Sequence, residues 1–263
     1  MKSSILTSLM ISTMLVGLPA VAPAATVTGG ELTMNFDRDA LAQLVLNPSG
    51  TPPTIFLEEF FTSPSLTGAQ INDVVNTNLV PGNGEIPATG LVYGVTGSTV
   101  SNPAGRAIQA TNFTYDPNNV TGTAAGQIGL GGVLRFMGNF PGIFATGDYA
   151  LKYDATRIGN SAGGSGWYLL NNYGFPVPGL ELTDVAVDSN PFSLNLSGNL
   201  KWSPEVTNAF FHSSDLGKTV GTFTFASPVP LPAAAWLFGS GVIGLGSIAR
   251  ARLRKGRSGA LRP

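Results

Sequence analysis

The chain has no cysteine and a single histidine, His212, among its 263 residues. The first absence excludes disulfide staples, thiol nucleophiles and thiolate metal sites. The second excludes the HExxH zinc site, which needs two histidines. Charged residues are also scarce, at 11% against about 25% in ordinary globular proteins. No P-loop is present, and neither is the GxSxG nucleophile elbow. The nearest look-alike, Gly163-Gly164-Ser165-Gly166, fails at Trp167. His212 stands beside Phe210 and Phe211 and reads as a surface residue rather than a catalytic base.

Glycine and proline are abundant, at 34 and 19 residues. With the many Thr, Ser and Asn, they predict short strands joined by tight turns. Period-two alternation places Leu32, Met34 and Phe36 on one strand face. It places Phe192, Leu194 and Leu196 on another, and sets Val220, Thr222 and Thr224 against Gly221, Phe223 and Phe225. Further strands are expected over 55–61, 91–95, 107–115, 127–136, 149–153, 167–171 and 180–187. Turns are expected at 116–119, 163–166, 176–179 and 188–191. About ten short strands favour a mainly β domain, an antiparallel β-sandwich or jelly roll. Two short helices are expected, one entered at Asp37 and a weaker one within Leu66–Val75. No fixed-period repeat is present, which speaks against solenoids and propellers. The segment 82–105, rich in Gly and polar residues, reads largely as loop.

The two ends differ from the middle. Met1-Lys2, the mostly apolar stretch Ile5–Leu18 and the small-residue site Ala22-Pro23-Ala24-Ala25 form a secretory signal peptide over 1–25. Its alternative is a retained N-terminal anchor. Residues 231–249 are free of charge, and as a helix would reach roughly 28 Å, close to the hydrocarbon thickness of a bilayer. Arg250, Arg252, Arg254, Lys255, Arg257 and Arg262 follow, a positive stop that keeps residues 250–263 cytoplasmic. A buried core helix is the bland alternative, but six basic residues with no acid seldom end one. Gly239-Ser240-Gly241-Val242-Ile243-Gly244 spells GxGxxG inside this apolar run. Outside a βαβ unit it is not a nucleotide site. The intervening domain, 26–227, carries seven basic and all fifteen acidic residues, a net charge of −8. That balance does not suit nucleic acid. Roughly 200 residues can bury a core without disulfides.

The segment 228–263 resembles a known sorting signal. Val229, Pro230, Leu231, Pro232, Ala233, Ala234, Ala235, Trp236, Leu237, Phe238 and Gly239, continuing through Ser240-Gly241 to an Arg-rich end, are similar to the PEP-CTERM domain. Leu231 stands where the namesake motif has Glu. The resemblance covers about 30 residues. It implies export by a Gram-negative bacterium, handling by an exosortase-like enzyme, and association with exopolysaccharide and biofilm. It implies no activity for the middle of the chain.

Three readings of that middle follow. The first is a non-enzymatic surface or matrix protein without a cofactor. Trp167, Tyr168 and Trp202, together with Tyr173, are its candidate sugar-stacking residues, although large aromatics are more often core. The second is a secreted polysaccharide hydrolase working through paired carboxylates. Glu58 and Glu59 are its first candidates; their bland reading is charge guarding an edge strand. The third is a plain single-pass membrane protein with an uncut anchor. Asp37 with Asp39, and Asp184 with Asp188 and Asn190, are acidic groups suited to calcium, but neither matches a calcium loop. Each is more simply a cap or a turn.

Overall fold

The computed structural model describes residues 24–46, 51–52, 54–73, 85–138 and 144–228. The signal-peptide residues before Ala24 and the PEP-CTERM-like segment from Val229 onward lie outside the described residues. No helix among the described residues is long and apolar enough to cross a membrane.

The elements in chain order are β1 (Ala25–Thr26), β2 (Glu31–Phe36), α1 (Arg38–Ala42), β3 (Ile55–Phe61), α2 (Gly68–Asp73), β4 (Leu91–Gly94), β5 (Thr114–Tyr115), α3 (Val120–Thr123), β6 (Ile128–Gly138), β7 (Phe144–Tyr153), β8 (Trp167–Asn171), β9 (Val177–Asn190), β10 (Ser193–Trp202), α4 (Pro204–Phe210) and β11 (Thr219–Pro228). Nine strands form one antiparallel sheet in the order β3-β6-β7-β8-β9-β10-β11-β2-β4. From β6 to β11 each strand pairs with the next, so the wall is a meander. The sheet then curls back on itself. Val95, just past β4, bridges Leu130 of β6, and Ile86 N–H donates to the Leu57 carbonyl at 3.0 Å. The result is a nearly closed, barrel-like sandwich. Closure removes most of the open edge that a nine-stranded sheet would expose.

The mainly β character and the few short helices match the reading of the sequence. The jelly-roll alternative gives way to a six-strand meander, β6 to β11, closed by crossovers that set β3 beside β6 and β2 between β11 and β4. The Pro176–Gly179 turn is also corrected. β9 begins at Val177, and Pro178-Gly179 form a bulge, with Leu169 opposite Leu180 and Leu170 opposite Pro178. A bulge is where a ladder tolerates proline. The strand expected over 107–115 shrinks to Thr114–Tyr115. Ile108 and Phe113 are buried outside any strand and Tyr115 within the short β5, so their apolar pattern reports packing rather than a strand of the nine-stranded wall.

Alternation builds the core. Leu32, Met34 and Phe36 of β2 face inward against Phe223 and Phe225 of β11 and Leu194, Leu196 and Leu200 of β10, all buried. Each such side chain contributes about 1.5–3 kcal/mol by leaving water. Near one end, Trp202 packs against Phe136, Phe144 and Phe211 with ring centroids 5.6–5.7 Å apart. Asp37 caps α1 by accepting from the N–H groups of Asp39 and Ala40, as its position predicts. α4 begins at the Ser203 cap with Pro204 in its first turn.

Candidate functional site

β6 is longer than either strand that flanks it at the seam. β3 pairs with residues 133–138, and Val95 bridges Leu130. Between these contacts Gly131 and Gly132 are bulged out of register with β7. There the chains leaving β3 and β4 diverge, and a cleft of about 730 Å³ opens between them. Its lining includes Pro64 and Ser65 after β3, Val95 and Thr96 after β4, Asn102 and Ile108 from the following loop, and Gly131 as floor. Every lining side chain is aliphatic, hydroxyl or amide, with no charge.

The loops around the cleft are fixed by specific bonds. Thr96 Oγ1 donates to the Gln109 carbonyl at 2.6 Å, and Thr96 N–H donates to the Gly129 carbonyl. Asn102 Oδ1 accepts from Ile108 N–H at 2.7 Å, closing the loop onto itself. Gly132 has φ +150°, and a Cβ there would meet the Tyr93 and Phe60 rings at 3.0–3.2 Å. Gly131 is different: its added Cβ would make only ordinary contacts, 3.7–3.8 Å from Ile108 and Thr96.

Behind the cleft lies a fully buried ion pair. Arg106 donates from Nε to Asp148 Oδ2 at 2.7 Å and from Nη2 to Oδ1 at 2.5 Å, and both side chains are 0% exposed. Arg106 Nη1 also donates to the Leu66 carbonyl at 3.1 Å. One guanidinium therefore ties the loop after β3 to the loop after β4 and to β7. Asp148 sits at φ +44°, in the left-handed region that Asp and Asn enter more readily than most residues. Nearby, burial raises the Tyr93 hydroxyl well above its ordinary pKa, with the charges of Tyr149 and Asp148 adding to it.

The residues singled out from sequence fall elsewhere. Trp167 and Trp202 are buried in the core, and Tyr168 is buried with the Arg157 guanidinium 4.8 Å from its ring centre. These three rings therefore form no exposed stacking platform. Tyr173 is buried as well, its hydroxyl donating to Asn72 Oδ1 at 2.7 Å. Burial outweighs polar contacts at these sites, as is usual for large aromatics.

Glu58 pairs with Arg135 at 2.8 Å on the terminal strand β3, while Glu59 is exposed. His212 is exposed and caps the turn at Ser213–Asp215. Ser165 donates to the Leu182 carbonyl. Asp184 and Asp188 accept from Asn199 and Asn195 across the β9–β10 ladder. Among the described residues no three His, Asp or Glu side chains gather as a metal site. The sorting-motif and basic-stop residues lie outside the described residues.

Sequence reading missed Arg106, Asp148 and the network in which Arg157 bridges Glu181 and Glu205. These partners lie 24–48 residues apart, and no spacing rule links them. Gly131-Gly132 inside an otherwise apolar strand was a readable bulge signal.

No family model matches the chain, and no curated protein matches it. Among solved structures, the C-terminal domain of HtaA from Corynebacterium glutamicum is similar over 78% of this chain and 99% of that domain, at 11% identity and a TM-score of 0.40. This is a loose likeness, and no function is drawn from it.

Proposed function

We propose that this is an exported, non-enzymatic surface or matrix protein of a Gram-negative bacterium. It is held briefly in the inner membrane, handled by an exosortase-like enzyme and left in the exopolysaccharide layer. The observation that carries the address is the run Val229–Gly241 with its basic stop. Ala25 is buried and paired with Tyr115, which favours signal cleavage after Ala24, leaving Ala25 to start the domain.

The seam cleft is the candidate contact with polysaccharide. Its lining is uncharged and carries the hydroxyls of Thr62, Ser65 and Ser101, which suit a neutral sugar, and it holds no acid or base to cleave one. Gly131→Leu puts an isobutyl group into the cleft without positive-φ strain. It is expected to abolish retention of the full chain on an exopolysaccharide gel while leaving the melting temperature unchanged. Undiminished retention of a folded G131L variant would remove the cleft from the account.

A further inference from the structure

The hairpin between β9 and β10 ends in a side chain that the barrel does not use. Asn190 makes the turn: its Oδ1 accepts from Phe192 N–H at 2.8 Å, and its Nδ2 donates to Ser193 Oγ at 2.8 Å. The Phe192 ring takes no share in that bonding and is 56% exposed. Val187, on the same hairpin, is 40% exposed. A phenyl ring held out in water at a hairpin tip is stabilised by any apolar surface that covers it.

The register shows what lies beside them. Ser193 is paired directly with Pro228, the last residue of β11, and paired strands stand about 5 Å apart. Leu231, where the 231–249 segment begins, is three residues further on. Three residues reach about 10 Å at most. Whatever bilayer receives the 231–249 segment must therefore lie close to the Phe192 tip.

We infer that the Phe192 hairpin is a membrane-docking tip, seating this end of the barrel on the lipid surface while the chain is anchored. The inference rests on the reading of 231–249 as a membrane span. Burial of an apolar ring at the headgroup–acyl boundary is favourable, and the tether removes most of the entropic cost of bringing it there. Glu31 and Asp188 are exposed at this same end, so the matching surface is zwitterionic rather than anionic. Release of the chain from its anchor would free the tip.

β9 runs from the Phe175 turn to the Phe192 turn, and its 14 residues separate the two by about 45 Å when extended. Phe175 is 54% exposed and supplies the control at the opposite end. The chain has no cysteine, so Phe192→Cys and Phe175→Cys each offer one site for a polarity-sensitive dye. The full chain is reconstituted in phosphatidylcholine vesicles; one aliquot is floated after alkaline carbonate extraction, and dye emission and quenching are read on another kept at neutral pH. The expected result is flotation of both variants, with blue-shifted emission and quenching by brominated lipid at position 192 but not at 175. Flotation with a water-like spectrum at 192 overturns the docking tip and leaves the anchor standing. Failure to float overturns the anchor, and the tip with it.

Discussion

The inside of the barrel and its outer wall are stabilised in different ways. Inside, packing is apolar and tolerates imperfect polar chemistry: the hydroxyls of Tyr93 and Tyr115 and the indole N–H groups of Trp167 and Trp202 are buried without a hydrogen-bond partner. Outside, the buried charges among the described residues are paired. Arg106 meets Asp148, Arg135 meets Glu58, and Arg157 meets Glu181 and Glu205. The interior is held by non-directional burial, which needs only volume and shape. Arg106–Asp148, Arg135–Glu58 and Arg157–Glu205 are bidentate and hold loops at named atoms, whereas Glu181 accepts at Oε1 alone and its buried Oε2 has no hydrogen-bond partner. The difference explains why the cleft lies on the wall. A shaped opening needs directional ties, and Arg106 supplies them.

The comparison is broken most severely at Asp148. Asp148→Asn keeps the left-handed backbone but leaves the Arg106 charge buried without its counterion, a loss of about 4 kcal/mol. Urea unfolding is expected to show that loss, and amide exchange is expected to rise in residues 62–66 and 100–108. A loss below about 1 kcal/mol, the level of an exposed pair, would mean that the pair does not bear on stability. Leu200→Ala tests the interior instead. Leu200 is wholly buried on β10, and its truncation is expected to cost about 3 kcal/mol with no selective loosening of the cleft loops.

Tyr93→Phe sharpens the contrast at the smallest scale. Removing an unpartnered buried hydroxyl is expected to stabilise the fold by about 1 kcal/mol. It also changes the alkaline limb. Burial raises the folded-state pKa of Tyr93, and likewise of Tyr149, where the Thr146 hydroxyl, able to donate to the ionised oxygen, works in the opposite direction. A raised folded pKa gives stability that is complete below the unfolded value, about 10, and declines as pH rises toward the folded value. Stability is therefore expected to fall above pH ~10, and less steeply in Y93F. Identical alkaline slopes would place Tyr93 in water.

Much of the wall was legible from the sequence because its signal is local. Leu32, Met34 and Phe36 alternate in the sequence and alternate in burial. Asp37 reads as a cap and is one. Phe192 shows where alternation misleads: it continues the pattern of Leu194 and Leu196, yet β10 begins at Ser193 and the ring stays in the turn. The helix Pro204–Phe210 went unread although Ser203-Pro204-Glu205 spelled its start. The cleft was not legible. It exists because β3 and β4 part company along β6, a relation among segments tens of residues apart, and the ion pair behind it joins Arg106 to a residue 42 positions away. Composition could not distinguish a stacking tryptophan from a core tryptophan either; ring contacts such as Trp167 with Tyr153 at 5.2 Å settle that.

The central claim, export followed by sorting, is tested most directly by intact-mass spectrometry of the protein recovered from the cell envelope and from the culture medium. The account predicts a species that begins at Ala25, ends between residues 227 and 240, and lacks the Arg-rich tail. A species that still ends at Pro263 and stays in the inner membrane would contradict it.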